Sequence, residues 1–106
     1  MATDWAADVK KYAPKADDAV IAKMVRTYQL VLSNRDSANV AISDPGEVDT
    51  VREKFLKGKL GLTEDDATLN AAIKQVGETM KADRTKSRLT VYYLLAEKFK
   101  KLSVFQ

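Results

Sequence analysis

Neither cysteine nor histidine occurs anywhere in this 106-residue chain. Without cysteine there is no structural disulfide, no thiolate metal site and no cysteine nucleophile, and a reducing compartment is permitted. Without histidine the commonest general base and the commonest zinc ligand are both missing. Glycine and proline are scarce, at four and two residues, so few positions force a helix to stop. The longest unbroken apolar run, Val91 to Ala96, has six residues, against the roughly 20 that a membrane-spanning helix needs. The stretch MATDWAADVKKYAPK lacks the apolar core of a signal peptide. These absences lead us to expect a cytoplasmic protein with no membrane association, no bound cofactor and no metal site.

What is present is ordinary for a globular protein: 45% apolar and 31% charged residues. The length fits one domain over 1–106, able to bury roughly two thirds of its unfolded surface. The net charge of +3 is unevenly placed. Residues 1–80 hold 11 basic and 13 acidic side chains, and residues 81–106 hold 7 and 2. Such asymmetry favours an anionic partner, although basic residues also collect at helix C-termini for reasons of the dipole alone.

The most hydrophobic stretch is Leu89 to Leu102, LTVYYLLAEKFKKL. At 100° per residue its apolar side chains cover most of a helical cylinder, leaving a narrow polar strip of Thr90, Glu97 and Lys101. Such a helix must be wrapped by others. It is therefore expected to be the centre of a compact all-α bundle of four to five helices. A first helix is expected over Asp4–Tyr12, ended by Pro14 and anchored by Trp5. A second, with Asp17 and Asp18 as cap and first-turn charge, is expected to run to near Ser33-Asn34, burying Val20, Ile21, Met24, Val25, Tyr28, Val31 and Leu32. In residues 34–43 the alternation of Val40 and Ile42 with Ala41 and Ser43 suggests an extended piece, and a short helical turn from Asp36 or Ser37 fits equally. Because a lone strand would have no sheet to join, the segment is taken as a connector with Val40 or Ile42 turned inward. Asp44-Pro45-Gly46-Glu47 opens a third helix as a capping box, burying Val48, Val51, Phe55 and Leu56, with Gly61 as its left-handed end. Thr63–Asp66 opens a fourth, whose core face is Leu69, Ala72, Ile73, Val76 and Met80. Gly77 within it suits a close approach by the central helix. The tail Ser103–Gln106 ends on apolar residues and is expected to pack.

Several chemistries fail on their spacing. Asp36–Glu47 has EF-hand length, but Ala38, Val40 and Ala41 stand at positions that need ligands or glycine. Gly58-Lys59-Leu60-Gly61 follows no strand and is no phosphate loop. The pairs Asp17-Asp18 and Asp65-Asp66 read as caps. A helix-turn-helix around Leu60–Thr63 would present Glu64, Asp65 and Asp66 to phosphates, which repels them. Serine and threonine lack an activating histidine, and no catalytic residue is assigned. Of the adjacent Tyr92 and Tyr93, one is expected in the core with its hydroxyl paired and the other nearer the surface.

One local feature remains. Lys81, Arg84, Lys86 and Arg88 form a basic run just before the central helix. Positive charge at a helix N-terminus opposes the dipole, so the run calls for a compensating carboxylate or a bound anion. We take these four residues as a candidate anion site.

Asp4–Tyr12, Val76–Arg84, Tyr92–Glu97 and the middle motifs Phe55-Leu56 and Leu60-Gly61-Leu62 resemble the bacterial family catalogued as domain of unknown function 2853. The resemblance spans essentially the whole chain. It implies a small, single-domain, all-α bacterial protein and carries over no activity, cofactor or site residue. The leading expectation is a non-enzymatic binding module for a protein partner or a small anion, monomeric or homodimeric. The alternatives are a small enzyme using Asp, Arg, Lys or Tyr in a pocket beside the central helix, and a weak nucleic-acid binder.

Overall fold

A computed structural model describes residues 5–83 and 86–105, without the side chains of residues 35 and 36. The chain forms an all-α bundle whose axis is α7, Arg88–Lys98. Every α7 residue from Arg88 to Ala96 is buried. The wrapping comes from α1 (Trp5–Tyr12), α2 (Asp18–Thr27), α4 (Arg35–Ala38) and α6 (Asp66–Thr79), which all contact α7. The expected polar strip is only partly wet. Glu97 is exposed, but Thr90 is fully buried and donates from Oγ1 to the Asp8 carboxylate of α1. Val9, with no exposed surface, anchors α1 more deeply than Trp5, which is half-buried against the core.

Local capping rules account for most helix starts. Asp17 accepts from the Ala19 N–H at 2.8 Å, Asp65 from the Thr68 N–H at 2.9 Å, and Ser87 from the Thr90 N–H at 3.5 Å. Asp44 accepts from the Gly46 N–H at 2.9 Å. Its own N–H donates to the Ala41 carbonyl, so the expected capping box is not closed. Glu47 instead turns toward Arg88. All five apolar residues assigned to the core face of α6 are buried.

Two expected helices are interrupted. The second breaks at Tyr28 (φ −106°, ψ 21°) and resumes as α3, Gln29–Leu32. The break leaves Leu30 88% exposed. The third is α5, Pro45–Thr50, continued by a π-helix over Val51–Lys59. The Leu60 N–H donates to the Phe55 carbonyl at 2.9 Å, five residues back. The apolar pattern explains the wider winding. An α-helical stripe through Val51 and Phe55 would next bury Gly58 or Lys59. The π winding buries Leu56 and Leu60 instead. Gly61 (φ 68°) then reverses the chain and Leu62 folds inward, as expected.

Residues 34–43 are more structured than a connector. After α4, Asn39–Val40 forms β1, paired antiparallel with β2, Lys86–Ser87, in the register Asn39 to Ser87 and Val40 to Lys86. The strand thus finds its partner inside the basic run. Val40 is buried and Ile42 half-buried. Ile42 is also the neighbour that Gly77 admits: a Cβ there would lie 2.9 Å from Ile42 Cγ2. The close approach is by this segment rather than by α7.

At the far end, α7 closes with Lys100 in the left-handed region (φ 57°). The Lys100 N–H donates to Glu97 O at 3.0 Å and the Lys101 N–H to Ala96 O at 2.7 Å, a Schellman arrangement without glycine. The turn delivers Phe105 into the core as part of a 3₁₀ segment, Leu102–Phe105.

Candidate functional site

Of the four basic residues singled out in the sequence, the three that are described do not converge. Lys81 is exposed. Arg84 lies outside the described residues. Lys86 donates from Nζ to the Asp83 main-chain oxygen at 2.9 Å. Arg88 turns inward: it is 7% exposed, and its guanidinium spans three elements. Nε donates to the Ser37 carbonyl at the end of α4, Nη1 donates to the Tyr92 hydroxyl at 2.9 Å, and Nη2 lies 3.5 Å from Glu47 Oε2 of α5. The charge that opposes the α7 dipole therefore has an internal carboxylate partner.

Asp83, beside the run, serves a different contact. It accepts from the Tyr12 hydroxyl and from Lys11 Nζ at 3.1 Å, fastening the end of α1. The Tyr12 hydrogen bond, then that of Lys11, holds its carboxyl below the usual range. A depressed folded pKa gives stability that is complete above the unfolded value near pH 4 and is lost as pH falls through the folded value. Glu53, Asp65 and Asp66 are depressed in the same direction. Asp83→Asn is therefore expected to flatten part of the acid limb below about pH 4 in urea midpoints measured from pH 2 to 6. Parallel limbs for the two proteins would rule out the latch.

Arg88 also borders a cleft of about 310 Å³ beside α7, lined by Tyr28, Val31, Ser37, Thr50, Lys54, Phe55, Arg88 and Tyr92. Its cations are Arg88 and Lys54, and no carboxylate is among the lining residues. Lys54 sits in a string of basic side chains that the sequence explains by the helix dipole. The structure separates its members. Arg52 pairs with Asp49 and Glu53, and Lys57 with Glu53 and Asp66. Lys59 stands over the Phe105 ring, 5.4 Å from its centroid. Lys54 makes no ion pair with any described residue.

The aromatic walls are fixed by packing. Phe55 stacks on Tyr92 with ring centroids 3.9 Å apart and planes 7° apart, and Tyr28 meets Tyr92 edge-on at 5.1 Å. Tyr92 and Tyr93 are both buried and both hydrogen-bonded, Tyr93 as acceptor from the Asp17 N–H at 3.3 Å. Tyr93 lies in the core, and Tyr92, which borders the cleft, is the nearer of the two to solvent. The Tyr28 hydroxyl makes no hydrogen bond to a described residue. Burial, then the nearby Tyr92, pushes its pKa well above the usual tyrosine value, so it remains a proton donor at neutral pH. Ser37 and Thr50 spend their protons on main-chain carbonyls, Val31 O at 2.7 Å and Gly46 O at 3.0 Å. The donors left to the cleft are Lys54, the Tyr28 and Tyr92 protons, and those N–H groups of Arg88 not already engaged.

Asp83 is not among the cleft residues; its pairing with a tyrosine lies elsewhere, between the segment after α6 and Tyr12 of α1. A second groove, about 630 Å³, runs along residues 26–33, but one stretch of chain lines all of it. Among the described residues no cluster of three acidic side chains is placed to hold a metal ion, and no helix is long and apolar enough to cross a membrane. Tyr28 and Lys54 were missed as site residues from sequence, and so was Glu47 as the partner of Arg88. Only an unpaired lysine within an otherwise paired charged helix would have signalled the cleft, and pairing is invisible before folding.

No curated protein matches the chain in sequence. A family profile matches residues 4–103, and on that extent the chain belongs to the family described as protein of unknown function (DUF2853).

Proposed function

We propose that the chain is a single-domain, cytoplasmic bacterial binding module that takes a small anion in the cleft beside α7. The observation that carries this reading is the composition of the cleft: two cations, one of them without an ion pair to any described residue, two tyrosine protons and no carboxylate among the described lining residues. Of the four basic residues singled out in the sequence, Arg88 belongs to this site. The absence of a carboxylate or histidine among the described lining residues speaks against acid–base chemistry built on either group there. The third reading, nucleic-acid binding through Lys81, Arg84, Lys86 and Arg88, is disfavoured because Arg88 is buried and Lys86 turns to the Asp83 main chain.

A ligand that binds only the folded state raises its thermal stability. The test is a thermal-shift series with phosphate, sulfate and short organic acids against chloride at equal ionic strength. At least one anion is expected to stabilise the wild type specifically, and Lys54→Gln should lose that increment. Sulfate and phosphate also strengthen apolar burial in general, so the variant is the necessary control. Equal responses of both proteins to every anion would overturn the proposal.

A further inference from the structure

The cleft also constrains the kind of anion, a step that rests on the anion-binding reading above. We infer that its ligand is a small monocarboxylate carrying an aromatic or short aliphatic body. Three observations support this. First, the charge balance leaves one positive charge to neutralise. Arg88 already faces Glu47 at 3.5 Å, whereas Lys54 has no described partner. A monoanion balances this site, and a phosphate dianion would bring an unmatched charge into a half-buried cleft. Second, the donors suit a planar carboxylate. At most three of the five guanidinium N–H groups are engaged by Ser37, Tyr92 and Glu47. A ligand carboxylate can take the remainder, or replace the long Glu47 contact, while Tyr28 and Lys54 supply further donors. Third, Tyr28 and Val31, partly exposed above the buried Phe55 and Tyr92 rings, offer apolar surface that an inorganic anion leaves uncovered. At roughly 30 Å³ per non-hydrogen atom, the share of a liquid water, the cleft holds about ten such atoms. That suits the body of benzoate or hexanoate.

The experiment is titration of the ¹⁵N-labelled full chain, followed by amide shifts, with benzoate, hexanoate, benzamide, acetate and inorganic phosphate at constant ionic strength. Benzoate and hexanoate are expected to saturate shifts centred on Tyr28, Phe55 and Tyr92. Benzamide, which keeps the body and loses the charge, should bind at least tenfold more weakly, and so should acetate and phosphate. Lys54→Gln changes an exposed side chain and should weaken benzoate about three- to tenfold without altering the rest of the spectrum. Phosphate or acetate binding as well as benzoate, with the same dependence on Lys54, would overturn the carboxylate-with-body inference and leave the anion site standing. Benzamide equal to benzoate would overturn both. No saturable shift at the cleft with any of the anions would overturn the anion-binding reading itself.

Discussion

Leu95→Ala is expected to cost about 2–5 kcal/mol of folding stability. Leu95 has no exposed surface and lies midway along α7, the element that α1, α2, α4 and α6 all contact. Removing its branched end loses the transfer free energy of the deleted carbons. It also leaves a cavity that rigid neighbours on several sides cannot close. For a chain of this length the melting temperature should fall by on the order of 10 °C or more. Urea denaturation with an unchanged m-value would assign the loss to the native core. Leu30→Ala is the matched control. The same side chain, 88% exposed after the break at Tyr28, should move stability by no more than about 0.5 kcal/mol. A loss below about 1 kcal/mol for Leu95→Ala would mean that α7 is not the centre of the core.

Arg88→Met should be the second costly change, at about 2–4 kcal/mol. The substitution keeps much of the buried aliphatic volume and removes the fork that joins α4, α5 and α7. The Ser37 carbonyl then loses its donor, and Glu47 loses its counter-charge. Glu47 retains 29% side-chain exposure, so water can recover part of its solvation, which places the estimate below that for a fully enclosed pair. Arg88→Lys should restore little, because its three donors radiate from one nitrogen, whereas the carbonyl, hydroxyl and carboxylate are met by three separate nitrogens, Nε, Nη1 and Nη2. Adding Glu47→Gln to Arg88→Met should recover only the part due to the stranded charge, as a double-mutant cycle in urea would read. If Arg88→Met left stability unchanged or raised it, the guanidinium would be a solvated charge opposing the helix dipole and the internal pair would be refuted.

The two substitutions also separate what sequence and tertiary structure each decide. Leu95 was legible. Nine apolar residues within fourteen can only be satisfied by burial on several sides, and periodicity reports that directly. The caps at Asp17, Asp44 and Asp65 were legible for the same reason: a cap bonds two or three residues ahead, so its partner is fixed by the chain itself. The core face of α6 followed from its spacing alone. Arg88 was legible only as an anomaly, a cation where the dipole disfavours one. Its resolution depends on Ser37, 51 residues away, and on Glu47, which local rules assigned to its own helix cap. The π winding was likewise undecided by the sequence of residues 51–59. It depends on which residues the surrounding helices demand, and they take Leu56 and Leu60 in place of Gly58 and Lys59. The strand at Asn39–Val40 needed a partner from the opposite half of the chain. Lys54 became distinctive only once Arg52 and Lys57 had taken the nearby acids. Hydrogen bonds to near neighbours and the period of apolar residues are properties of the chain. Charge compensation, strand pairing and the lining of a cleft join distant segments, so only the packed structure decides them.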